Sequence, residues 1–412
     1  MQITYSKFEH ELNGFLKSYL EDDSFDRLKE RLDLSEDKAD SLSEKINDFY
    51  NQQLQIDKNY SKDRIRVDRI ITFSEKTLPK GKFCKFLIEL ARICLSEGKL
   101  ELASEIFRKA NRIGDNDSIK AESLFGLADV FSRKANWTRS LEAINKANSI
   151  FKNLDDLRGV AKCQNFLGAI YGEMGDIHKA KRYLQMSLSL INRDEDLELA
   201  ANSYTNIGII YNIQECPNDA ISHLNRALTI YKKLGNHKNA SEVTLNIGLV
   251  HFDSGNYESA LFALDEAIEL AKSNGFLSTL SLAYLAKSQV LIKLNNFYYA
   301  AEFTDKALEI SHNADDKLTL AEIYKVKGII ERHLKNFVAS ETYLLNSLRI
   351  NNNLNNELNA AETSFELGVL YDNINDSNSK KSYLGRSQEY FENIGATTKV
   401  ERIEQILGFS AS

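Results

Sequence analysis

NIGIIYNIQECPNDAISHLNRA, residues 206–227, reads as two short amphipathic helices joined by a turn. Apolar residues recur at three- and four-residue steps on both sides of Glu215-Cys216-Pro217-Asn218-Asp219. Gly208, Ala220 and Ala227 are small enough to let two helix backbones approach, and Tyr211 and Leu224 can fill the space beside them. The same frame stands forty residues earlier in FLGAIYGEMGDIHKAKRYLQMSLSL, residues 166–190. It returns forty residues later in NIGLVHFDSGNYESALFALDEAIEL, residues 246–270. Gly168, Gly208 and Gly248 therefore align, and Ser288, Gly328 and Gly368 continue the step. Ala128 lies forty residues before Gly168, and Ala91 opens one further unit 37 residues before that. Eight units result.

Taking each of these residues as position zero, position twelve holds Ala103, Ser140, Ala180, Ala220, Ala260, Ala300, Ser340 and Lys380. Position nineteen holds Ala110, Ala147, Ser187, Ala227, Ala267, Ala307, Ser347 and Ser387. All but Lys380 are Ala or Ser, types that make up roughly a sixth of an average protein, so chance does not produce this register. Position sixteen is usually large and apolar, and position three is often aromatic, as at Phe131, Tyr171, Tyr211 and Tyr371. Between positions six and nine the helical pattern breaks at Gly98-Lys99, Gly175-Asp176, Gly255-Asn256, Asn295-Asn296 and Lys335-Asn336, which is turn chemistry. The chain has only 2 prolines, Pro79 and Pro217, and both avoid helix interiors. Each unit is a helical hairpin that buries its apolar face only by stacking on its neighbours.

This pattern resembles the tetratricopeptide repeat, in the forty-residue variety found in bacterial peptide-sensing regulators, kinesin light chains and spindle-orientation scaffolds. The proline that usually closes each repeat is missing, with Lys152, Asn192, Lys232 and Lys272 in its slot. The resemblance implies an all-α fold, a right-handed α-solenoid of about eight helix-turn-helix units over residues 81–393. A helical region over 1–80 would precede it, and a capping helix and tail over 394–412 would close it. Gly408 falls forty residues after Gly368, so Val400 to Leu407 reads as the first helix of a ninth unit.

The first eighty residues do not join the register. Ser41 with Glu44 suits a capping box, and Leu78 to Gly81 suits a hinge. The basic residues Lys58, Lys62, Arg64, Arg66 and Arg69 alternate with Asp57, Asp63 and Asp68, as either a solvated helix face or a site for phosphate or an acidic partner.

Composition narrows the function. In 412 residues, 52 Lys and Arg stand against 59 Asp and Glu, a net charge of −7, which argues against nucleic acid as a partner. No apolar run reaches the roughly 18 residues of a membrane span. The start of the chain lacks the apolar core of a signal peptide. Cys84, Cys94, Cys163 and Cys216 form no CxxC pair and read as reduced, structural thiols. The expectation is a cytoplasmic protein without membrane or nucleic-acid partners. Phosphate-loop, HExxH and GxSxG motifs are absent, and the 7 histidines share no helix face at metal spacing. No enzyme activity, metal or cofactor is expected. His251 and Trp137 fall in packing slots.

A surface remains. In the repeat family the first helices line the concave face, at positions that correspond here to minus six, minus three, plus one and plus four. In the fifth and sixth units these hold Leu245, Leu249, Phe252, Leu282, Leu285, Gln289 and Ile292. In the seventh they include Lys325 and Arg332. The apolar members suit an amphipathic helix or an extended peptide, or else pack against neighbouring helices. Asn165, Asn202, Asn206, Asn212 and Asn246 cluster on first helices. They can clamp a peptide backbone through their paired donor and acceptor, or hydrogen-bond between helices. The Lys/Asn/Arg clamp of chaperone-tail binders is absent. The reading is a non-enzymatic interaction scaffold that binds a protein or peptide ligand in the groove. The rival is a peptide-sensing regulator whose repeats control the N-terminal helices. Self-association through those helices is a third expectation.

Overall fold

The computed structural model describes residues 7–29, 32, 62–134, 136–192, 195–313, 317–354, 356–393 and 396–408. Among them every regular element is a helix. Helix α1 spans Lys7–Tyr19, residues 22–29 are helical as well, and α2 spans Lys62–Thr77. Eight hairpins follow. They are α3 (Lys80–Ser96) with α4 (Leu100–Ile113), α5 (Asp117–Arg133) with α6 (Trp137–Asn153), α7 (Leu157–Glu173) with α8 (Ile177–Leu190), and α9 (Leu197–Ile213) with α10 (Pro217–Lys233). Then come α11 (His237–Asp253) with α12 (Tyr257–Ser273), α13 (Leu277–Lys293) with α14 (Phe297–Asn313), α15 (Lys317–His333) with α16 (Phe337–Asn353), and α17 (Glu357–Asn373) with α18 (Ser377–Asn393). A single helix, α19 (Thr397–Leu407), closes the series.

The turns inside the hairpins share one device. Position seven is left-handed at Gly98, Gly175, Glu215, Gly255, Asn295, Lys335 and Asn375. That conformation suits glycine and costs other residues about 1 kcal/mol. Position eight then starts the second helix. There Asn136 and Asp176 accept hydrogen bonds from the backbone N–H groups of Arg139 and Lys179. Pro217 opens α10 at the first helical position, where it has no N–H to leave unsatisfied.

The small residues sit where helices meet. All the Ala and Ser residues at positions twelve and nineteen are 0% exposed. The anchor glycine backs onto position sixteen: a Cβ on Gly208 would stand 2.7 Å from Leu224 Cγ, and one on Gly368 2.5 Å from Leu384 Cγ. Rings stack across the hairpins, as in Tyr171 on Tyr183 and Tyr371 on Tyr383, each with centroids 5.4 Å apart.

The chain forms two compact units, Met1–Gly159 and Val160–Ser412. In the first, the N-terminal helices do not stand apart from the repeats. Phe8, Leu12, Leu16, Val67 and Ile70 share one core with Phe83, Phe86, Leu90 and Phe107. Of the basic cluster, Arg64 joins this packing and Arg69 is exposed. Arg64 pairs with Glu105 at 2.7 Å, Asp63 takes Lys99, and Glu75 takes Lys109 at 2.7 Å. Lys58 and Asp57 lie outside the described residues, as does the Ser41–Glu44 box. Pro79 makes the corner between α2 and α3, its carbonyl accepting from Phe83 N–H at 2.9 Å.

In the second unit, α19 covers the last hairpin: Ile403 is 0% exposed and packs with Ala361, Leu384 and Phe391. Lys380, the exception at position twelve, turns outward to Asp372 at 2.7 Å. Three side chains are less buried than expected. Trp137 and His251 are half-buried at the hairpin ends, and Cys216 is partly exposed in its turn, while Cys84, Cys94 and Cys163 are buried. All four thiols are free. No helix among the described residues is long and apolar enough to cross a membrane.

Candidate functional site

Within the second unit each hairpin's second helix packs on the next hairpin's first helix. In addition, α9 lies against α11, α11 against α13, α13 against α15, and α15 against α17. The first helices therefore form a continuous wall on the inner side. Position plus one runs along it as Ala169, Ile209, Leu249, Gln289, Ile329 and Val369. Ile209 is 37% exposed and the others are half-buried. Leu282, at minus six of the sixth unit, is 40% exposed, and Ile213, one position beyond plus four, is 51% exposed.

Position minus three behaves differently. Leu245 is 6% and Leu285 4% exposed, so neither lines an open groove, contrary to expectation. Three residues from the anchor is about 60° around a helix, which leaves the side chain near the hairpin seam. Leu245 joins Ala260 and Leu264, and Leu285 joins Ile323 and Val326. Leu249 and Phe252 pack by one edge on the first of these cores, and Ile292 on the second.

The asparagines divide their amides between framework and opening. Asn165, 8% exposed, donates to Ser203 Oγ at 2.7 Å and accepts from Asn206 Nδ2 at 2.8 Å. That residue is a strut between α7 and α9. Among the described residues Asn206 Oδ1 has no donor against it. Asn202 Oδ1 accepts from the Tyr231 hydroxyl, leaving its NH₂. Asn212 donates to Asp253 Oδ2 at 2.6 Å, leaving its Oδ1. Asn246 is half-buried beside them. The hydrogen bonds between helices bear on the framework reading of the cluster.

The two cations are framework groups. Lys325, 8% exposed, lies 2.8 Å from both Glu322 and Glu362, and Lys399 reaches Glu362 from α19 at 2.7 Å. Burial pulls the Lys325 ammonium down, but the two carboxylates outweigh it and hold it above the ordinary lysine range. Burial likewise opposes ionisation of Glu362, yet Lys325 and Lys399 draw it down to about 2. Arg332 pairs with Glu366 at 2.7 Å, and Gln289 donates to Glu322 at 3.3 Å. Neither Lys325 nor Arg332 is offered to a ligand, because each ties one first helix to the next. Ile209, Ile213, Ile329 and Val369 complete the apolar row. Ile209, Ile329 and Val369 stand at position plus one, where the repeat register places them.

A sequence model of the tetratricopeptide repeat matches residues 199–273, and a second matches 161–194. No curated protein matches the chain. Among solved structures, a Rap protein complexed with competence and sporulation factor is similar, with 16% identity and a TM-score of 0.57 over 81% of this chain and 98% of that one. Aspartyl phosphate phosphatase F from Bacillus subtilis is similar at 15% identity and a TM-score of 0.51, covering 100% of this chain and 97% of that one. A signal-transduction ATPase with a tetratricopeptide repeat sensor from Pyrococcus horikoshii has 15% identity and a TM-score of 0.54. It is matched over 85% of this chain, which spans only 56% of that longer protein. At such identities the likeness is one of fold. The forty-residue register, the stacked hairpins and the two family matches agree: the chain is a tetratricopeptide-repeat protein.

Proposed function

We propose that the inner wall of the second unit binds an extended peptide or a helix of a partner protein, and that the protein is a cytoplasmic, non-enzymatic scaffold. The observation that supports this reading is the pairing of the apolar row Ile209, Leu249, Ile329 and Val369 with asparagines held by one amide group and free by the other. A backbone presents alternating donors and acceptors, which Asn202, Asn206 and Asn212 can meet without reading sequence. The apolar row supplies the anchors. The test is selection of random twelve-residue displayed peptides on the full chain, followed by calorimetry on those retained. Ile209→Asp with Leu282→Asp, both on exposed side chains, should lower affinity at least tenfold. Unchanged affinity in the folded variant removes the inner wall from consideration. Leu285→Asp is unsuited to this purpose, since it places a charge in the core.

A second reading is a peptide-sensing regulator. Phe15 and Tyr19 of α1 pack on Phe86 of α3, tilted and edge-on with centroids at 4.9 and 5.4 Å, so movement of the first hairpin would reach the N-terminal helices. The similar Rap protein was crystallised with competence and sporulation factor, which supplies the analogy. Retained peptides should then change the solution scattering profile of the full chain. An unaltered profile at saturating peptide counts against regulation while leaving the scaffold reading intact.

A further inference from the structure

The outward faces of the second helices show a second surface, unrelated to the inner wall. In each hairpin the outward positions are plus ten, fourteen, seventeen and twenty-one. In α10 they hold Asn218, Ser222, Asn225 and Thr229, all uncharged and polar. In α12 and α14 the character changes abruptly. Phe262 is 76% exposed, Tyr298 80% and Tyr299 59%, and Val338 at the start of α16 is 80% exposed. Large apolar groups so open, on successive helices of one face, mark an interaction surface.

The charges around them indicate the occupant. The outward positions of α12 also hold Glu258, Asp265 and Glu269, and those of α14 hold Glu302, Asp305 and Glu309. Asp265 and Asp305 are neutralised by Lys287 and Lys327 from the first helices, and Glu302 by Lys306 at 2.6 Å. Glu258 and Glu269 have no partner among the described residues. The forty-residue register sets Glu258 level with Tyr298, and Phe262 level with Glu302, on neighbouring hairpins.

Elsewhere the chain covers its own rings with cations. Lys181 lies 4.3 Å from the Tyr211 ring centroid, Lys287 4.4 Å from Phe303, and Lys327 5.0 Å from Tyr343. Phe262, Tyr298 and Tyr299 have neither a cation nor another ring against them among the described residues. An aromatic face without its cation, beside carboxylates without theirs, is complementary to a segment that brings both as arginine or lysine.

We propose that the outer face of α12, α14 and the start of α16 docks a basic amphipathic segment of a partner protein, its Arg or Lys side chains on Phe262, Tyr298 and Glu258 and its apolar side on Tyr299 and Val338. This surface is independent of the inner wall, so the two stand or fall separately.

The experiment uses the full chain and a displayed library of random sixteen-residue peptides. Peptides with Arg or Lys at three- or four-residue spacing among apolar residues should be enriched. Their binding should weaken at least tenfold with Phe262→Ala/Tyr298→Ala, weaken similarly with Glu258→Lys/Glu269→Lys, fall with added salt, and be indifferent to Ile209→Asp/Leu282→Asp. All four outer side chains are exposed, so matching thermal melts are expected for these variants. Failure to enrich cationic peptides, or binding of those peptides unchanged by both outer variants, overturns the proposal. So does light scattering that shows a dimer broken by Phe262→Ala/Tyr298→Ala, since the occupant is then a second copy of the chain.

Discussion

Ser288 Oγ and Thr304 Oγ1 stand 2.6 Å apart, at the place where the third, fourth, fifth, seventh and eighth hairpins set a glycine against a leucine. In those hairpins the leucine occupies the space that a Cβ on the glycine would need. The sixth hairpin has filled that space from the other side, with a serine in place of glycine. Its position sixteen has shrunk to match, and Thr304 also bonds back to Ala300 O at 2.7 Å. Both residues are 0% exposed.

The pair should therefore behave as a unit. Thr304→Leu alone overfills the seam and strands the Ser288 hydroxyl, with an expected cost of about 2–3 kcal/mol. Ser288→Gly alone leaves a void beside Thr304, whose hydroxyl keeps its bond to Ala300 O. The double change restores the glycine–leucine arrangement of its neighbours and should fall within about 1 kcal/mol of the parent. Denaturant unfolding of the four proteins gives the coupling directly. Additive losses would show that the match is coincidental.

Two turns carry avoidable strain. Glu215 and Lys335 are left-handed, at φ 57° and 65°, where the first, third and fifth hairpins have glycine. Either residue changed to glycine should gain up to about 1 kcal/mol, since relief of the Cβ clash exceeds the extra entropy lost by glycine outside a helix. Midpoints from urea unfolding check this. A loss of stability would mean that these side chains hold the turn by interactions that outweigh the strain.

These turns show why the fold was so legible in the sequence. The register of small residues reports direct backbone approach, and only a few residue types tolerate it. The inner wall was less legible. Leu245 and Leu249 are equally apolar and lie one helical turn apart, yet one is core and the other half-buried on the inner wall, because about 40° of rotation about the helix separates them. Lys325 and Asn165 looked like ligand groups because sequence shows a polar side chain but not the partner thirty-seven or thirty-eight residues away that consumes it. Phe262 and Tyr298 give no such signal in sequence, because an aromatic on an amphipathic helix is ordinarily core.

His223 lies between the rings of Tyr204 and Tyr211, with centroids at 5.9 and 5.4 Å. Burial lowers its readiness to take a proton, Arg226 lowers it further, and Asp219 opposes both. The folded chain thus keeps the imidazole neutral to lower pH than the unfolded chain does. The unfolded state binds more protons below its ordinary value of about 6.5, so this contribution is whole above that pH and shrinks as pH falls through it. Replacing His223 with Phe should flatten the fall in melting temperature between pH 7.5 and 5.5. An unchanged slope would place the acid sensitivity elsewhere, with His333 on Phe297, lowered for the same reason, the next residue to replace.

Glu362 works in the opposite sense to a buried acid. It sits between Lys325 and Lys399, and their attraction overcomes its burial and brings its value down to about 2 from an ordinary 4.5. Its contribution is complete above about 4.5 and disappears as pH falls from there towards 2. Lys325→Met removes the more deeply buried partner while Lys399 stays. Because the Glu362 side chain keeps 31% of its exposure, solvent softens the loss, and about 2 kcal/mol is expected rather than the full cost of a wholly buried orphan charge. The carboxyl resonance of Glu362 should then titrate nearer 4.5, since one of two cations is gone. Adding Glu362→Leu to that variant should recover most of the stability, because an apolar pair of similar volume bears no desolvation cost. If Lys325→Met leaves both the melting temperature and the titration of Glu362 where they were, the ion pair is not what ties α15 to α17, and Arg332 with Glu366 must carry that link.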